Sequence, residues 1–264
     1  MTPTQEKNRR WAEMFAIVFV FLLAACGEKK PEPTGEPAST PAPELSGEPT
    51  AAPSPAGGRG SISGEVIFKG KAAASTLTIN KDQEVCGKTK TEPGLIVSAQ
   101  GKLHNVVVSI AAAGDAKATP TKVVLDQKGC EYNPHVLAFP AGSTVEILNP
   151  DGILHNVHTY SKNNSPINLA QPKFKKTMTV TFDKPEIIEV KCDVHSWMNG
   201  WLFVAGTPYF AVTDGNGSFQ ISGLPAGEHV VEIWHEQLGK QSKKVKIGAN
   251  ESASVNFEFS APGA

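Results

Sequence analysis

The chain has 264 residues, with 25 Lys plus Arg against 26 Asp plus Glu and a formal net charge of −1. Near-neutrality, with no basic run interleaved with aromatics, gives no reason to expect a nucleic-acid surface. The length allows roughly one to two domains, and much of the Pro (20 residues) falls before residue 58, ahead of any strand-like pattern.

Lys7, Arg9 and Arg10 precede an apolar run from Met14 to Ala25. That run is short of the about 20 residues a bilayer span needs, and basic residues before a short apolar run are the layout of a secretory signal. Leu23-Ala24-Ala25-Cys26 resembles a bacterial lipoprotein lipobox. The resemblance implies a signal peptide over residues 1–26, cleavage before Cys26 and lipid on that residue. The mature protein is then expected in the cell envelope, anchored by lipid to a membrane and facing the periplasm, with the outer membrane favoured. Residues 27–58 are Pro, Glu, Ala, Ser, Thr and Gly with almost no large apolar side chain. Such a segment cannot offset its chain entropy by burial and is expected to be a disordered, extended tether.

Strand-like patterns begin near Gly60. Ser61 to Phe68 alternates and ends at Lys69-Gly70, a turn signal. Leu77–Ile79, Leu95–Val97, Val106–Ile110, Val123–Leu125, Val136–Phe139, Thr144–Leu148 and Glu186–Lys191 read as further strands between Gly-, Asn- and Pro-bearing turns. No sustained helical period appears after Gly60, so the expected fold class is all-β.

Cys192, His195 and Met198 follow one another at spacings of three, and His155 lies 37 residues before Cys192. One thiolate, two imidazoles and a weak axial thioether are the donor set of a type 1 copper site. Cys192 is the candidate thiolate, His155 and His195 the imidazoles and Met198 the axial ligand, with His158 an alternative to His155. Both imidazoles must be neutral to bind, so metal affinity is expected to fall in acid. With the axial position filled, no coordination site is left for a substrate. The chain has neither His-Glu-x-x-His nor Gly-x-Ser-x-Gly, so no enzyme is expected.

The stretch Phe139-Pro140-Ala141-Gly142-Ser143-Thr144-Val145-Glu146-Ile147-Leu148-Asn149-Pro150-Asp151, then His155-Asn156-Val157, resembles the central part of cupredoxins. The Cys-x-x-His-x-x-Met-x-Gly run is similar to the tight ligand loop of amicyanin-type members. The resemblance spans about Lys122 to Ala205. It implies a Greek-key β-sandwich over 119–206 holding one copper ion that cycles between Cu(I) and Cu(II). His155, directly before Asn-Val, takes the ligand position, and Asn156 braces the two ligand loops. Trp197 is the expected electron-transfer surface beside His195, and Trp201 reads as a core aromatic. The implied function is single-electron transfer between redox proteins, a cytochrome c-like donor or an oxidase or dehydrogenase. The alternative is a copper chaperone or sensor that binds and hands on Cu(I).

Phe210 to Ile233 resembles the carboxypeptidase regulatory-like module, a small transthyretin-like β-sandwich, whose opening strand is similar to Gly60 to Val66. The resemblance implies a module split between residues 59–118 and 207–260, with the copper domain inserted. Cys86 and Cys130 remain, and in an oxidising compartment two leftover cysteines are most simply a disulfide joining the first segment to the copper domain. A second metal site at Cys130, Glu131 and His135 is the competing reading. His104, His229 and His235 read as surface or turn residues.

Overall fold

In β1 (Gly60–Lys69) the even positions Ile62, Val66 and Phe68 are buried while Ser63, Glu65 and Lys69 are not. This is the period-2 pattern of a strand with one face on a core. The structure, a computed structural model, describes residues 58–110 except 71, 73 and 74, and residues 116–261. The expected signal peptide, Cys26 and the tether up to residue 57 lie outside the described residues. Among the described residues no helix is long and apolar enough to cross a membrane.

After β1 come the short hairpin β2 (Thr76–Thr78) and β3 (Thr89–Thr91), with the single-turn helix α1 (Gln83–Cys86) between them, and then β4 (Val107–Ser109). The middle of the chain forms β5 (Lys122–Asp126), β6 (Val136–Pro140), β7 (Thr144–Leu148), β8 (His155–Thr159), β9 (Asn168–Gln171), β10 (Thr177–Thr181), β11 (Glu186–Lys191) and β12 (Asn199–Ala205). The last part forms β13 (Phe210–Val212), β14 (Ser218–Leu224), β15 (Gly227–His235), β16 (Gly239–Ile247), β17 (Ser252–Ser254) and β18 (Phe257–Ser260). The described residues are all-β apart from α1. Leu95–Val97, expected as a strand, makes only an isolated bridge between Val97 and Leu103.

The first and last parts share two sheets. One has the order β14-β1-β17 with β18 also on β1, and the other is β13-β4-β15-β16. They enclose one core that includes Ile62, Val66, Val108, Phe219, Ile233 and Phe257. β1 pairs in parallel with β17 and then with β18, and the chain between them crosses directly over Gly64. A Cβ at Gly64 would sit 1.8 Å from the Val255 carbonyl oxygen, so only glycine permits that crossing.

The middle part folds between those two halves as a second sandwich. Its sheets are β10-β7-β5 and β6-β12-β11-β8-β9, closed on a core that includes Leu125, Phe139, Ile147, Val157, Phe182 and Leu202. The β2–α1–β3 segment forms a strap on this second sandwich. Ile79, Cys86 and Cys130 are buried together there, with Trp197 and Ile153 against them. The Cys86–Cys130 disulfide joins α1 to the turn after β5 across 44 residues. In the chain-entropy view a loop of that length is stabilised by about 4 kcal/mol.

The two sandwiches meet at Trp201 and Trp234, whose rings are edge-to-face at 5.0 Å. Trp201 Nε1 donates to Glu236 Oε2 at 2.9 Å, and Glu236 also pairs with His135. Trp201 is therefore an interface residue. His135 is committed to Glu236, while Glu131 pairs with Lys90 and Cys130 is in the disulfide, so the expected alternative of a metal site at Cys130, Glu131 and His135 is not assembled.

His229 and His235, expected at the surface, are buried at 4% and 1% exposure. Both lie on the inward face of β15, a position the period of that strand assigns to the core. Burial pushes the pKa of His235 from 6.5 down to about 4, with Glu236 opposing and His135 adding to the fall. Between those values only the unfolded chain takes the proton, so stability falls as pH drops below about 6.5. The expected loss from this group is about 2–3 kcal/mol between pH 7 and pH 4.5. Denaturant unfolding at the two pH values checks it: His235→Gln should lose less stability on acidification than the parent.

Candidate metal centre

β11 runs antiparallel to both β8 and β12, so the start of β8 and the end of β11 lie at the same end of the sheet. His155 opens β8 and Cys192 directly follows β11. The chain then turns tightly back into β12. Cys192 N donates to Met198 O at 3.0 Å and Met198 N to His195 O at 2.9 Å. Spacings of three place Cys192, His195 and Met198 in this one turn, and all three side chains are buried. Met198 sits in the same apolar cluster as Cys192. Gly200, just past the turn, lets β12 pass close to the loop between β5 and β6: a Cβ there would lie 3.0 Å from His135 O and 3.2 Å from Tyr132 Cβ.

His155 Nδ1 and His195 Nδ1 face each other at 3.1 Å, and Cys192 Sγ lies 3.8 Å from His195 Nδ1. The three donor atoms are all within 4.8 Å of one another, and His155 and His195 are fully buried. Each outer nitrogen faces a carboxylate. His155 Nε2 donates to Asp151 Oδ2 at 2.9 Å and His195 Nε2 to Asp82 Oδ2 at 2.9 Å. A carboxylate only accepts, so each ring carries its hydrogen on Nε2, and on a neutral ring Nδ1 is then a lone pair. His155 is held below the usual imidazole range first by burial and also by His195, with the Asp151 bond opposing. Lone pairs aimed at one another in a buried space, beside the free cysteine among the described residues, are a mismatch that a shared cation resolves. The residues present therefore fit a metal ion. Cys86 and Cys130 also approach His195, and Cys130 approaches Asp151 and His155, but their sulfurs are bonded to each other and offer no thiolate.

Strand geometry decides between His155 and His158. The two are three apart on β8 and so point to opposite faces. His155 reaches the centre, whereas His158 stacks on Tyr160 and pairs with Asp193 at 3.1 Å. Asn156 joins the two ligand-bearing loops. Its Oδ1 accepts from Asp193 N at 2.7 Å, and its Nδ2 donates to Asn168 Oδ1 at 2.8 Å and Asp193 Oδ2 at 3.1 Å. Hydrogen bonds from His158 and Asn168 hold the Asp193 carboxyl below its ordinary range. Tyr132 donates to Asn156 O at 2.6 Å, and burial raises its phenol far above the usual value.

Trp197 is half-buried with its ring 5.1 Å from that of His195, and its Nε1 donates to Cys130 O at 3.2 Å. His195 itself has no exposed edge, because the strap covers it. Two residues at the centre had no role in the sequence reading. Asp151 closes the stretch that carries the cupredoxin resemblance, four residues before His155, but no contact with that ring was assigned to it. Asp82 lies 113 residues from His195, and nothing local marks it.

No protein-family model matches the chain, and no curated protein does. Several solved structures match a part of it. A copper-containing nitrite reductase from Thermus scotoductus is 24% identical over 36% of this chain and 25% of its own, with a TM-score of 0.30. A purple cupredoxin from Nitrosopumilus maritimus is 25% identical over 28% of this chain and 82% of its own, with a TM-score of 0.25. Amicyanin from Paracoccus versutus is 20% identical over 37% of this chain and 97% of its own, with a TM-score of 0.29. The chain thus spans a quarter of the reductase it matches, and each match leaves well over half of this chain uncovered.

Asn156→Ala removes the acceptor for Asp193 N and unties the two loops. The expected cost is about 1–3 kcal/mol of stability. Chemical denaturation of the metal-free protein, compared with the parent, checks it.

Proposed function

We propose that this chain binds one copper ion through His155, Cys192 and His195, with Met198 as the weak axial ligand, and carries single electrons between redox proteins. The reading rests on one observation: two imidazole Nδ1 atoms and a free thiol converge in a buried space with their outer nitrogens already committed to carboxylates. A thiolate with two imidazoles and a soft thioether selects copper and serves both of its oxidation states. The protein holds the rings by Asp151 and Asp82 and the turn by its own backbone bonds, so the donors need little rearrangement. Burial of both imidazoles and of Cys192 keeps solvent from the centre, which suits a resident redox ion better than an ion passed to a partner. Trp197, half-buried beside His195, is the proposed route to the surface.

The same reading places the protein in the periplasm. Residues 1–26 act as a lipoprotein signal, Cys26 takes the lipid, residues 27–58 tether the folded part, and the outer membrane is the favoured site. The partners are redox proteins of the cytochrome c, oxidase or dehydrogenase kind.

Visible and paramagnetic-resonance spectra of the copper-loaded full-length protein test the proposal. An intense thiolate-to-copper band that bleaches and returns on reduction and reoxidation is expected. Cys192→Ala should abolish the band, His155→Ala should weaken copper binding by at least about tenfold, and His158→Ala should leave both unchanged. Copper that exchanges freely and gives no such band points instead to a chaperone and overturns the electron-carrier reading.

A further inference from the structure

Asp82 is an unusual residue for its position. It stands at the N-cap of α1, where an aspartate normally accepts a hydrogen bond from its own first turn, yet its side chain makes no such bond. Its backbone is in the left-handed region at φ 48°, uncommon for a residue other than glycine. Its carboxylate instead reaches out of the helix to His195 Nε2 at 2.9 Å. Local stability is given up in favour of one long-range contact with a candidate ligand.

The surroundings hold that contact in place. Lys81, the preceding residue, donates from Nζ to Val194 O at 3.3 Å, next to His195. Four residues after Asp82, Cys86 is bonded to Cys130. The amides of Gly129 and Cys130 donate to the two oxygens of Asp151 at 2.7 and 2.8 Å, and Asp151 holds His155. One disulfide therefore ties together both carboxylates that hold the two imidazoles. Asp151 belongs to the same sandwich as the ligands. Asp82 comes from the strap.

We infer that Asp82 is a positioning residue that fixes His195 with Nδ1 toward Cys192, sets copper affinity from outside the sandwich and lowers the reduction potential. The inference rests on the copper reading above. The physical basis is in two parts. A carboxylate on the outer nitrogen of a ligating imidazole fixes ring orientation and tautomer and raises ligand basicity. A negative charge one ring away stabilises the more highly charged oxidised ion over the reduced one.

The test uses the full-length protein and four forms: wild type, Asp82→Ala, Asp82→Asn and, as a charge control on an exposed residue of the same helix, Glu84→Gln. Asp82→Ala should weaken copper binding by about 10–100-fold. Asp82→Asn keeps an acceptor but loses the charge, so it should raise the potential with a smaller loss of affinity. Glu84→Gln should match wild type. Nitrogen NMR of the metal-free protein gives a readout that needs no copper: His195 should be the Nε2–H form in wild type, and Asp82→Ala should redistribute it while leaving His155 in place. Thermal melting shows whether each variant is folded, and a failure of Asp82→Ala leaves Asp82→Asn against Glu84→Gln as the deciding pair. Wild-type affinity, potential and His195 signals in both Asp82 variants overturn the inference, as does an equal shift of potential in Glu84→Gln. A wild-type protein that binds no copper overturns the copper reading instead, and the metal-free His195 signal then decides what Asp82 does.

Discussion

Two hydrogen bonds, His155 Nε2 to Asp151 and His195 Nε2 to Asp82, determine the chemistry of the centre. An imidazole has one hydrogen to give when neutral, and committing it outward leaves the inner nitrogen as a lone pair. Reversing either ring would present N–H to the opposing nitrogen and leave a carboxylate facing a bare lone pair. Bonds to a charged acceptor are worth about 1.5–3 kcal/mol each, enough to hold one tautomer almost entirely. On neutral rings the lone pairs then point inward, at 3.1 Å from each other and beside a thiol. That arrangement is one a cation between the donors would relieve.

The β-sandwich explains why these groups meet. β11 lies between β8 and β12 and antiparallel to both. Its last residue, the turn that follows and the first residue of β8 must therefore share one end of the sheet. Backbone bonds close the Cys192–Met198 turn, and Asn156 ties it to β8, so the positions of the donors follow from strand pairing and a few amide contacts. The other side of the centre has no strand to define it. There the disulfide fixes α1 against the turn after β5, and two carboxylates take up the outward nitrogens.

Much of this was legible in the chain. Alternation gave most of the strands, and the spacing of Cys192, His195 and Met198 within one turn is a local property that survives folding. Period 2 on β8 was also available, and it separates His155 from His158 once the strand is known. Other features were not local. Leu95–Val97 has the composition of a strand but bridges only to Leu103, next to Lys102, which itself bridges to Ile67 of β1. His229 and His235 are polar by type and buried by position, as the inward face of β15 decides. Asp82 sits in a polar loop where composition assigns only a turn. Its partner is defined by a disulfide and a strap whose placement no periodicity encodes.

The strap also bears on what counts as a unit in this protein. Residues 76–91 lie between β1 and β4, two strands of the enclosing sandwich, yet they pack on the inserted one. Chain order and packing therefore disagree about where the strap belongs. A boundary drawn at residue 119 would keep the four candidate donors together and still discard Asp82 and Cys86. His195 would then lose its outer partner and gain an open edge, and Asp151 would lose the disulfide-fixed turn whose amides hold it. The inserted sandwich also meets the enclosing one through Trp201, Glu236 and His135, a contact made near the ligand-bearing end of β12 but by none of the candidate donors. The strap is thus the part of the first segment that places a carboxylate against a candidate ligand, as Asp151 does from within the inserted sandwich.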